Sequence, residues 1–125
     1  MKCMAFIFIL GTFLCNPAAA SQMKVGDLYK LCTSSTEADK SACTFYIWGV
    51  VEGAQLGGGT EQDKSGNFQE AKNKRFCVPE GLTTAAMELL VKTKMGADLA
   101  VYPEDRNLPA VSFVMAVIAK QFPCP

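Results

Sequence analysis

The chain has no histidine among its 125 residues, one tryptophan and no C-x-x-C pair. Without histidine it cannot build a self-contained Ser/His/Asp or Cys/His machine, nor most catalytic zinc sites. Without C-x-x-C, dithiol redox chemistry has no motif to work from. Charge of one sign is also missing: 12 basic side chains balance 12 acidic ones. A balanced chain has no electrostatic footprint for nucleic acid or for an anionic membrane surface. Nor is there an apolar run long enough to span ~30 Å of hydrocarbon, so no stable membrane insertion is expected. No cofactor motif is present either, since the glycines at 57–59 lack the Lys-Ser/Thr pair of a phosphate loop.

What the chain does have is unevenly distributed. Residues 1–20 carry Lys2, an apolar run from Met4 to Leu14 and then Asn16-Pro17-Ala18-Ala19-Ala20. That order is expected of a secretory signal cleaved after Ala20, with an uncleaved or lipidated N-terminus as the alternative. Its removal takes only Lys2 from the charge balance and leaves residues 21–125 as a single small domain.

Export decides how the cysteines read. Cys3 and Cys15 leave with the signal, and Cys32, Cys43, Cys77 and Cys124 remain. An even number in a small exported domain implies two disulfides. The spacings of 10, 33 and 46 residues do not suit a zinc site, so no metal is expected.

The periodicity predicts helices and no strand. Val25 to Thr33 places Leu28, Leu31 and Cys32 on one side. A second helix opens at Thr36-Glu37-Ala38-Asp39, with acids in its first turn, and runs to Leu56, where Gly57-Gly58-Gly59 stops it. Thr60 to Arg75 reads as an exposed polar loop. A third helix starts at Thr83 or Thr84, with Ala86, Leu89, Leu90 and Thr93 as its apolar positions. It ends at Gly96 or runs on to Val101, and Pro103 stops it in either case. The fourth runs from about Leu108 to Gln121 and buries Val111, Val114, Val117 and Ile118. The expected fold is all-α, a bundle of four or more helices stapled by two disulfides. Antiparallel neighbours put Cys32 near Cys43 and return Cys124 to Cys77, so those are the expected pairs.

Two segments invite a partner. Gly49, Gly53 and Gly57 repeat every four residues along the second helix, and an interior glycine costs ~1 kcal/mol relative to alanine. Close approach of another backbone would justify them, from a helix of the same chain or from a second copy in a homodimer. Phe45, Tyr46 and Trp48 lie just before, and three aromatics in four positions cannot all face one small core. Tyr46, Trp48, Gly49 and Gly53 are therefore the candidate helix-packing or dimer residues. The second segment is the turn Tyr102, Pro103, Glu104, Asp105, Arg106, Asn107, braced by prolines at 103 and 109. It combines an aromatic and an arginine, the types that most often dominate interfaces, with two acids. Phe68 and the rest of the 57–75 loop form a secondary clamp.

Ordered along the chain, Gly26-x-Leu28 with Cys32, Cys43-x-x-Tyr46-x-x-Gly49-x-x-x-Gly53, Phe76-Cys77-x-Pro79-x-Gly81-x-Thr83, Pro103 with Pro109-Ala110, and Phe122-Pro123-Cys124 resemble the Rap/Tai family. Those are small exported immunity proteins of type VI secretion systems. The resemblance covers essentially the whole of residues 21–125, although the 57–75 loop and the segment before Pro103 look longer than the family pattern. It implies a periplasmic, all-helical, non-enzymatic protein, commonly a homodimer. Such a protein binds and occludes a cognate peptidoglycan amidase effector of the cysteine peptidase type, delivered by a neighbouring or sister cell. The family fold is also reminiscent of periplasmic acid-stress chaperones. A holdase or an envelope-associated binding protein is thus the alternative function.

Overall fold

The computed structural model describes residues 22–62, 64, 65, 68–70 and 75–125. The expected signal segment lies outside the described residues. Among the described residues, four α-helices make the fold: α1 Val25–Thr33, α2 Glu37–Gly59, α3 Thr84–Val101 and α4 Ala110–Gln121. A five-residue 3-10 turn, Pro103–Asn107, links α3 to α4. The fold is all-α, as the periodicity implies.

Each helix sends a row of side chains spaced by four into one core. The rows are Leu28 and Cys32 from α1, Cys43, Ile47 and Val51 from α2, Met87, Val91, Met95 and Leu99 from α3, and Ala110, Val114 and Ile118 from α4. Side chains four apart form a continuous ridge on a helix, and such ridges are the units by which helices interdigitate. The stripe expected on α3 is out of phase with this row: Leu89 is 59% exposed, and Ala86 and Thr93 also face solvent. The helix carries apolar residues on more than one side, so local pattern alone does not choose the face; packing against α1 and α2 does.

Local chemistry sets the helix starts. Before α2, the Thr36 hydroxyl accepts the Asp39 N–H at 3.3 Å, and the Ser34 hydroxyl donates to the Asp39 carboxylate at 2.6 Å. Those hydroxyls, Ser34 first, hold the Asp39 carboxyl below its ordinary range. The stability they contribute is present above the ordinary aspartate range and is lost as the pH falls through the lowered value. Before α3, Gly81 takes φ +82°, a conformation that disfavours a side chain, in a turn closed by Leu82 N–H to Pro79 O at 3.4 Å. Thr83 then caps the helix by accepting the Ala86 N–H at 3.1 Å. Thr83→Ala is expected to lower unfolding stability by about 1 kcal/mol, read from urea denaturation. An unchanged midpoint would mean that the cap is idle.

The chain before α1 is tied to the start of α4. Val25 N–H donates to Leu108 O and Ala110 N–H to Met23 O, both at 2.9 Å. Disulfides join Cys32 to Cys43 and Cys77 to Cys124. The second, with the Cys77 N–H to Phe122 O bond at 2.9 Å, fixes the chain end beside buried Phe76.

Three boundaries differ from expectation. α2 continues through the glycines to Gly59, since glycine weakens a helix without forbidding it. α4 begins at Ala110, with Pro109 as its N-cap. Within the polar segment read as a loop, Thr60–Gln62 (β1) pairs antiparallel with Phe68–Glu70 (β2), Gln62 opposite Phe68. Three-residue strands are too short to leave a readable alternation.

Candidate functional site: a braced turn and a glycine-floored groove

The turn at Pro103–Asn107 presents its side chains on a fixed backbone. Tyr102 N–H donates to Asp98 O at 2.7 Å, Asp105 N–H to Tyr102 O at 3.1 Å, and Leu108 N–H to Asp105 O at 3.0 Å. The Asn107 side chain adds a bond to Glu104 O at 3.4 Å. Proline at the first position fixes φ where no donor is needed. Glu104, Arg106 and Asn107 are exposed, Tyr102 is 53% exposed, and Val101 and Leu108 extend the apolar surface on either side. The five residues singled out from sequence are thus brought together, all outward except half-buried Asp105. Burial first, then the charge of Asp98 and a hydrogen bond with it, raise the Asp105 carboxyl above the ordinary aspartate range.

Gly26 is where a glycine is needed for close approach. A Cβ there would sit 3.1 Å from the Arg106 Cβ and 3.4 Å from the Arg106 carbonyl, so the missing side chain lets the turn lie against α1. Gly96 does the same for Tyr29, whose hydroxyl would meet an added Cβ at 3.2 Å.

Gly49 and Gly53 do not pack against another helix of the chain. A Cβ at either would meet nothing within 4 Å. Instead they floor an open groove of about 690 Å³ between α2 and α4, walled by Phe45, Tyr46, Val50, Val111 and Met115. At these two positions the glycines do not serve the close approach of another helix of the chain. Tyr46 joins the groove; burial raises its hydroxyl pKa against an opposing bond from the Val111 backbone. Trp48 does not line it, and its indole N–H bonds Glu52 along the helix at 2.6 Å.

Phe45 is the residue that sequence reasoning left out of the site. It is 76% exposed and begins the row Phe45, Gly49, Gly53, one turn per step. The same four-residue spacing that exposed the glycines carries it. Phe68, expected as a clamp, lies on β2. Among the described residues, no group of three or more His, Cys, Asp or Glu could hold a metal ion. Among them, too, no helix is long and apolar enough to cross a membrane.

Fold and surface together define a small all-α protein cross-linked by two disulfides, with its distinctive features on the outside. Residues 24–124 match the family model of the Rap1a immunity proteins, and the chain belongs to that family. No curated protein and no solved structure matches it.

Proposed function

We propose that the chain is a periplasmic immunity protein of a type VI secretion system, which binds a peptidoglycan amidase effector and occludes its groove. Family membership supplies the class. The observation that carries the occlusion is the turn at 102–107, whose backbone is already ordered by its own hydrogen bonds. A pre-ordered segment loses little conformational entropy on contact, so more of its interaction free energy appears as affinity. Tyr102 and Arg106 supply the contact, and exposed Glu104 suits an active-site histidine that carries positive charge.

The test is survival of cells made to export a type VI peptidoglycan amidase of the cysteine peptidase type. The chain with residues 1–20 is expected to protect them, and the chain without those residues is not. Lysis in both cases contradicts the reading.

The groove between α2 and α4 supports a homodimer. Phe45 protrudes beside a trough floored by Gly49 and Gly53, so one patch carries both a projection and a depression. A two-fold axis lets each copy fill the other's trough, as an isologous interface requires. Gly53→Leu adds a side chain where the isolated chain has open space. It is expected to leave folding intact and shift light scattering from dimer to monomer at tens of micromolar. A monomeric unmodified protein at that concentration removes the proposal.

A further inference from the structure

Asp98 ends its helical column beneath the turn, and one of its carboxylate oxygens, Oδ2, is shut off from solvent with no hydrogen-bond partner. A buried carboxylate oxygen without a donor is costly, so native structures supply one. No ion pair reaches Asp98 or Asp105 among the described residues, where the salt bridges are Lys30–Asp27 and Lys40–Glu37. The group that faces Asp98 is the carboxyl of Asp105, from the turn. Two carboxylates cannot satisfy each other, but a carboxylic acid and a carboxylate can, because the acid has an O–H to donate.

We propose that Asp98 and Asp105 form a proton-sharing latch that fastens the exposed turn to the end of α3 when the surroundings acidify. The proton sits on Asp105. Asp98 lines the α3–α4 groove with Lys94 and Lys120. The other charged groups nearby point elsewhere: Glu104 is exposed, and Arg106 packs its stem on Gly26 of α1. From α1, Tyr29 touches α3 at Gly96.

The Tyr102 N–H to Asp98 O bond already ties the turn to this residue through the backbone, and the shared proton adds a side-chain tie. Without a proton to share, neither carboxyl can donate to the other, and the turn is held by its backbone bonds alone. On acidification Asp105 takes up one proton and the latch closes. The folded chain holds that proton more tightly than the unfolded chain does. The latch therefore contributes stability below the ordinary aspartate range and loses it as the pH rises through the raised value of Asp105. It belongs to the chain alone, so it stands or falls independently of whether the turn enters an amidase.

The experiment is a carboxyl-carbon NMR titration of the full exported chain, with thermal unfolding followed over the same pH range. In the unmodified protein, the Asp105 signal is expected to titrate above an ordinary aspartate, with Asp98 responding at the same step. In Asp98→Asn, the amide N–H₂ donates to the Asp105 carboxylate, so the Asp105 titration is expected to fall from its raised position. That variant should melt higher than the unmodified protein at neutral pH, with the advantage vanishing toward acid pH. Asp105→Asn gives the reciprocal check on Asp98. An Asp105 that titrates ordinarily and ignores Asp98→Asn overturns the latch, as does a change in melting temperature that is the same at every pH.

Discussion

Loss of the Cys77–Cys124 bond, in a Cys77→Ala, Cys124→Ala variant, is expected to cost about 4 kcal/mol of unfolding stability. The two cysteines are 47 residues apart, so the bond removes much of the conformational freedom of the unfolded chain. Small domains have only ~5–15 kcal/mol in total, so this variant should approach the limit of folding at body temperature. The structural reason is local as well as entropic. The chain re-enters the core at Phe76 immediately before Cys77, and Cys77 is otherwise held to the C-terminal segment by one backbone bond to Phe122. Cys32–Cys43 closes a separation of only 11 residues, worth about 3 kcal/mol on the same reasoning. Urea unfolding with the other disulfide intact reads the effect. A loss below about 1 kcal/mol would show that the bundle does not depend on the long staple.

The second large effect falls on binding and not on folding. Tyr102→Ala with Arg106→Ala is expected to weaken the amidase complex by about 2–4 kcal/mol, roughly thirty- to a thousand-fold in Kd. The melting temperature should hardly move, because both side chains are exposed and alanine at 106 keeps the Cβ that touches Gly26. That separation of affinity from stability distinguishes a contact surface from a structural connector. Unchanged affinity would move the interface to another face.

Residue chemistry made much of this legible in advance. Four cysteines, the proline positions and the acidic start of α2 help locate the helices and the two disulfides, because each acts through local geometry or chain closure. The turn at 102–107 was legible for the same reason: Pro103 and Pro109 bound it, and its side chains are the kind found at contacts. Where contacts between distant residues decide the outcome, the sequence is ambiguous. Either face of α3 offers apolar residues, and only packing selects Met87, Val91, Met95 and Leu99 over Leu89. Glycines that admit a close neighbour cannot be told from those that lie open. Gly26 and Gly96 serve the first purpose, whereas Gly49 and Gly53, with the more conspicuous spacing, serve the second. The carboxyl pair of Asp98 and Asp105 was likewise invisible, since the seven-residue step between them becomes a contact only when α3 ends in a tight turn.

Titration of the purified amidase with the purified chain, with peptidoglycan hydrolysis followed, tests the central claim most directly. Occlusion by a pre-ordered plug predicts that activity falls linearly and is abolished near stoichiometric equivalence. The Tyr102→Ala, Arg106→Ala variant should require a large excess. Undiminished hydrolysis in the presence of excess unmodified chain would contradict the account.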